Sequence, residues 1–99
     1  MAHWLLTYAL APDYLARRGD YRDAHLALAW KASEAGTLLL GGAVGDPVES
    51  ALLLFTDADA ARAFAGADPY VGAGIVTAWR VLPWTTVVGD EAATPVRSV

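Results

Sequence analysis

Cysteine is absent from the 99 residues, and lysine occurs once, as Lys31. Without cysteine there is no disulfide framework, no thiolate nucleophile and no cysteine-ligated metal or cluster site. Serine is scarce as well: Ser33, Ser50 and Ser98 are the full set, and none stands in a nucleophile-elbow context. Basic residues never cluster beyond the Arg17-Arg18 pair, and the net charge is −4, a poor electrostatic footprint for nucleic acid. That partner class is set aside. No apolar run approaches the length of a membrane span, and the start Met1-Ala2-His3-Trp4 has no signal-peptide layout. The expectation is a cytoplasmic protein with no membrane partner.

What the chain does have is apolar content, 56% of its residues with four Trp among them, which argues against disorder. Its length suits one domain with one small core. So much apolar surface on so short a chain also points to self-association, and a homodimer is expected.

The stretch His3–Leu10 reads as a buried strand. Ala11-Pro12-Asp13 breaks it, and Asp13–Gly19 is a connector with room for one helical turn. Asp20 is placed as the N-cap of a first helix over Tyr21–Ala35, with Gly36 as its stop. By the three-and-four rule Tyr21, Ala24, His25, Leu28, Ala32 and Ala35 share its inner face. Thr37–Val44 reads as a second strand, with a bulge or close contact at Gly41-Gly42, and Glu49–Phe55 as a third. A capping box Thr56-x-x-Asp59 opens a short second helix over Ala60–Ala65. Ile75–Leu82 alternates as a fourth strand with Ile75, Thr77, Trp79 and Val81 on one face. Residues 85–88 are a candidate edge extension. Residues 1–88 are taken as the domain and 89–99 as a polar C-terminal tail.

The order β-α-β-β-α-β gives an α+β fold of ferredoxin-like topology: four antiparallel strands with both helices on one face. The open face then has to pack against something. A second copy is the simplest partner, in a dimeric α+β barrel-like assembly.

Between the two well-patterned halves lies Phe64–Gly74, with an acid, a proline, an aromatic and three glycines. Pro69 pushes Asp68 towards extended geometry, which fixes the direction of its carboxylate. In this topology the first helix lies beside the second, so His25 can face the corner that carries Asp68. If they meet, Asp68 orients the imidazole and favours its protonated form, as in acid/base sites; a structural histidine at a helix end is the rival reading. Arg17, Arg18 and Arg22 are candidate contacts for an anionic substrate, with plain solvation as their alternative. With one organised histidine and no cysteine, no transition-metal site is expected, a His-plus-carboxylate site being the open alternative, and no motif calls for a cofactor. Gly41-Gly42-Ala43-Val44-Gly45 lacks the strand-to-helix setting of a phosphate loop.

Several of these elements together resemble the YCII-related (YciI-like) family of small proteins. They are Arg22-x-x-His25-Leu26, Gly36-x-Leu38-Leu39-x-Gly41-Gly42, Asp68-Pro69-Tyr70, Ala73-Gly74-Ile75-Val76 and Trp79-x-Val81-x-Pro83-Trp84. The resemblance implies dimers related to the dimeric α+β barrels and a pocket around the family's His-Asp pair, here His25 and Asp68. The family is similar in fold to muconolactone isomerases, and one branch includes a dehydrochlorinase acting on a chlorinated hydroxyhydroquinone. The connector Tyr14–Arg18 is slightly long, and the strand Val48–Phe55 is bulky where relatives vary.

The expectation is therefore a small enzyme of isomerase or lyase type, acting without a cofactor on a small cyclic or aromatic oxygenated molecule. His25 is the candidate general base or acid, Asp68 its orienter, Arg22 an anion contact, and Tyr70 a pocket wall or hydrogen-bond donor. The alternatives are a non-catalytic ligand-binding or accessory protein with the same pocket, and a purely structural dimerisation module.

Overall fold

A computed structural model of the chain describes residues 2–98. Four strands, β1 (Trp4–Leu10), β2 (Leu38–Val44), β3 (Ser50–Phe55) and β4 (Val76–Pro83), form one antiparallel sheet in the order β2-β3-β1-β4. Two principal helices, α2 (Arg22–Glu34) and α3 (Ala58–Ala67), are joined by two one-turn helices, α1 (Tyr14–Arg17) and α4 (Pro69–Gly72). This is the ferredoxin-like α+β arrangement.

Alternation in the central strands decides which face is the core. Leu6 and Tyr8 of β1 stand beside Leu53 and Ala51 of β3 and are buried, whereas Leu52 and Leu54 point to the other face. Leu6, Phe55 and Ile75 are sealed completely beneath the helices. Each such side chain contributes about 1.5–3 kcal/mol relative to exposure.

Two bulges interrupt that alternation, and neither lies where the sequence reading put one. In β2 the extra residue is Leu39, between Leu38 paired with Phe55 and Leu40 paired with Leu54. Gly41 stays in the ladder opposite Leu53, and a Cβ there would stand 3.3 Å from the Leu53 Cγ, so the close contact expected at this glycine is real. In β4 the extra residue is Thr77, because Val76 pairs with Leu10 and Ala78 with Ala9. The shift buries Ile75 and Val76 in succession, and the single face expected for Ile75, Thr77, Trp79 and Val81 does not exist.

Helix starts differ from expectation for a related reason. Asp20 is no N-cap: it closes a 3-10 turn (Arg18–Asp20), and the chain enters α2 through Tyr21 with no side-chain cap. The start of α3 is capped by Asp57, whose Oδ2 accepts from the Ala60 N–H at 3.0 Å, and not by Thr56. Thr56 still belongs to the sheet end, its N–H donating to the Thr37 carbonyl. The stop at Gly36 holds: at φ +83 it lets the Gly36 and Thr37 N–H groups return to Ser33 and Ala32 in a Schellman closure.

On α2, Tyr21, His25, Leu28, Ala29 and Ala32 are half-buried, but Ala24 and Ala35 are exposed. No residue of this helix is fully buried. It stands off the β2 side of the sheet, and the space beneath it is the cavity described below.

Residues 85–88 form no strand. The Thr86 and Val87 carbonyls accept from the Thr94 and Val96 N–H groups, so the tail folds back on them. Thr86 Oγ1 also meets His3 Nδ1 at 2.6 Å. Among the described residues no helix is long and apolar enough to cross a membrane.

Candidate functional site

The corner after α3 is built by Pro69. It holds Asp68 at φ −68 and ψ 121, out of helical geometry, and itself takes the first position of α4. Asp68 thereby ends one helix and caps the next, its Oδ1 accepting from the Tyr70 N–H at 3.0 Å. The side chain is fully sealed from solvent.

Two further donors converge on it. His25 Nδ1 lies 2.8 Å from Oδ1, and the Tyr8 hydroxyl donates to Oδ2 at 2.7 Å. A carboxylate only accepts, so Nδ1–H donates to Asp68, and in the neutral imidazole Nε2 is the nitrogen that carries the lone pair. The imidazole ring is fixed from its sides as well. It stacks on Tyr70 at 3.8 Å between centroids, and Phe64 meets it edge-on at 6.1 Å.

Tyr8 was not singled out from the sequence. Its signal is its position: the alternation that points Leu6 at the helices also points Tyr8 there, and a buried tyrosine hydroxyl needs a partner. Burial raises the Tyr8 phenol far above the ordinary tyrosine value, with the hydrogen bond to Asp68 and its charge adding to the effect. The Tyr70 phenol is raised too, by burial first and by Tyr14, while the charges of Arg22 and Arg18 and the approach of the Arg22 guanidinium to the hydroxyl act in the opposite sense. The buried hydroxyl has no acceptor for its proton.

His25 and Tyr70 line a cavity of about 450 Å³ between α2 and the β2–β3 half of the sheet. That volume falls within the range of small-molecule sites. Its floor is made by small residues, Gly41, Ala43 and Ala51, and one side by Leu26, Trp30 and Leu39. Arg18 and Arg22 stand among the lining residues, and Asp68 lies behind His25 outside them. The three arginine candidates therefore separate. Arg17 pairs with Asp13 at 3.7 Å and donates to the Ala73 carbonyl at 3.1 Å, tying α1 to the Asp68 corner rather than entering the cavity. Among the described residues no three His, Asp or Glu side chains gather as a metal site requires.

The family model of the YCII-related domain matches residues 1–85. The chain belongs to the YCII-related family. Within solved structures, this YCII-related chain is similar to 5-chloro-2-hydroxyhydroquinone dehydrochlorinase from Burkholderia phenoliruptrix AC1100, in complex with 2,5-dihydroxybenzoquinone. The TM-score is 0.69 at 23% identity, over 85% of this chain and 94% of that one. At that identity the likeness speaks for the fold. No curated protein matches the chain.

Proposed function

We propose that this YCII-related protein is a cofactor-independent enzyme of isomerase or lyase type, acting on a small cyclic or aromatic oxygenated molecule. The observation that carries the reading is the His25 Nδ1–Asp68 contact of 2.8 Å beside a cavity of about 450 Å³. Nε2 is the base. It takes a proton from the substrate, the C–H bond breaks, and the electron pair moves into the substrate. In an isomerisation the proton returns to a different carbon; in an elimination the pair expels a leaving group. The imidazolium formed in between is stabilised by the Asp68 carboxylate, which Tyr8 and the Tyr70 N–H hold still. Arg22 and Tyr70 are the substrate contacts. A structural neighbour that acts on a hydroxyhydroquinone and binds a dihydroxybenzoquinone supports this substrate class. The reading also takes the working form as a dimer, joined through the sheet face that the helices leave open.

The test is a thermal-shift screen of phenolic and lactone compounds, followed by turnover assays on the hits with the natural protein and His25→Gln. An enzyme loses turnover in His25→Gln while keeping ligand affinity. Tight ligands that the natural protein leaves unchanged would make it a binding protein instead.

A further inference from the structure

We propose that the cavity beside His25 selects an anionic ring compound, whose charged oxygen, carboxylate or phenolate, is held by Arg18, Arg22 and the Tyr70 hydroxyl. This rests on the reading of the cavity as a small-molecule site and adds the charge of what it takes.

The sign of the lining is opposite to that of the chain. Acidic residues outnumber basic ones eleven to seven in the sequence. Yet the cavity is lined by two guanidinium groups and by no carboxylate. Asp68 is turned away behind His25 with three hydrogen bonds to its oxygens, and Asp20 and Asp23, next to the two arginines in the chain, do not line the cavity. Two arginines elsewhere have carboxylate partners, Arg17 with Asp13 at 3.7 Å and Arg62 with Asp59 at 3.2 Å. Among the described residues Arg18 and Arg22, like Arg80 and Arg97 away from the cavity, have none.

The donors are also held in place. The Arg18 guanidinium lies 5.7 Å from the centroid of the Tyr14 ring, and Tyr14 in turn packs edge-on against Tyr70 at 5.7 Å. Arg22 is the first residue of α2, a helix whose start has no side-chain cap. The positive end of that helix dipole favours an anion as well. The Tyr70 hydroxyl is buried beside the Arg22 guanidinium, which can only donate, so the hydroxyl proton has no acceptor. A hydroxyl in that state is costly to keep, and an acceptor oxygen on a ligand satisfies it. The rest of the lining is apolar or small, with Leu26, Trp30 and Leu39 to one side and the Gly41–Ala51 floor below. That suits the body of a ring and offers little to a polyphosphate.

The experiment compares matched probes by calorimetric titration: benzoate against benzamide, and 4-nitrophenolate against 4-nitroanisole. Each anion is expected to bind at least about tenfold more tightly than its neutral partner, with affinity falling as salt is added. Arg18→Gln and Arg22→Gln are each expected to cost about tenfold in anion affinity, and Tyr70→Phe a smaller factor. Arg62→Gln, which removes the same charge from α3, is expected to change nothing. The carboxylate and phenolate arms show which oxygen the site prefers. Equal binding within both pairs, no binding by either anion at millimolar concentration, or an equal loss in Arg62→Gln overturns the proposal. A neutral compound turned over through His25 with Arg18→Gln unaffected would sink it while leaving the proposed function standing.

Discussion

The His25 imidazole lies flat on the Tyr70 ring, centroids 3.8 Å apart and planes 7° from parallel. The same tyrosine donates its backbone N–H to the carboxylate that orients His25. One residue thus sets both the plane of the imidazole and the position of its acid partner. The Asp68-Pro69-Tyr70 order makes this possible, because the proline turns Asp68 out of α3 and starts the turn that brings Tyr70 beneath the ring.

Tyr70→Phe separates the ring from its hydroxyl. The stack and the N–H bond are kept, and the one atom removed is a buried oxygen whose proton has no acceptor. The variant is expected to be as stable as the natural protein or more so by up to about 1 kcal/mol, whereas Tyr70→Ala loses about 3–5 kcal/mol. Urea unfolding measures both. A Tyr70→Phe protein that is clearly weaker would mean that the hydroxyl is paired in solution.

Asp68 is expected to tolerate an amide far better than its removal. In Asp68→Asn the remaining oxygen still accepts from His25 and Tyr70, and the new NH₂ faces the Tyr8 hydroxyl, which can rotate to accept. In Asp68→Ala three donors lose their acceptor in a sealed site, a loss of about 3–5 kcal/mol. Turnover behaves differently. The amide keeps the geometry but carries no charge to stabilise the imidazolium, so catalysis falls by roughly 10²–10⁴-fold. A folded Asp68→Asn variant with undiminished turnover would remove the Asp68 charge from the mechanism, while His25→Gln tests the base itself.

Stability is expected to fall on the alkaline side through Tyr8. Its folded-state value is raised above the unfolded one, so the folded protein holds the phenolic proton more tightly. The stabilisation is complete below the unfolded value, about 10, and is lost as pH rises above it, by up to about 1.4 kcal/mol per pH unit for one tyrosine. Tyr70, also raised, acts in the same sense. Melting temperatures followed from neutral pH to above the tyrosine range should show this decline. Tyr8→Phe should flatten it, at the expense of a carboxylate oxygen left without its 2.7 Å donor.

How much of this was legible in the sequence depends on how local the deciding interaction is. The element order, the glycine stop at Gly36 and the extended geometry of Asp68 are local matters of periodicity, turn chemistry and a following proline. The two bulges are not, since Leu39 is displaced by its strand's register against β3 and Thr77 by the register against β1, at the other end of the chain. The cap of α3 lies one position later than the Thr56 pattern suggests, because the Thr56 N–H pairs with the Thr37 carbonyl, nineteen positions earlier, and the extended residue before the helix is Asp57. The approach of His25 to Asp68 followed from the topology once that was in hand. Its third member, Tyr8, is a strand residue whose polar tip meets a corner sixty positions away. An alternation pattern gives the direction of such a side chain but not its partner.

The open face of the sheet carries the last prediction. The helices cover one side, and on the other Leu5, Leu40, Leu52, Leu54 and Trp84 border a shallow apolar depression. Leu40 is 73% exposed and Trp84 49%. Contiguous apolar surface of this kind on a small domain marks an interaction site, and a stable contact between copies would cover about 800 Å² on each. Sedimentation at micromolar concentration is expected to report a dimer. Leu52→Glu introduces a charge in the middle of that face while leaving the core untouched, because Leu52 alternates outward between the buried Ala51 and Leu53. The variant should sediment as a monomer with unchanged far-ultraviolet circular dichroism. A natural protein that is already monomeric would remove the dimer from the proposed function, but not the His25 cavity, whose lining comes from a single copy.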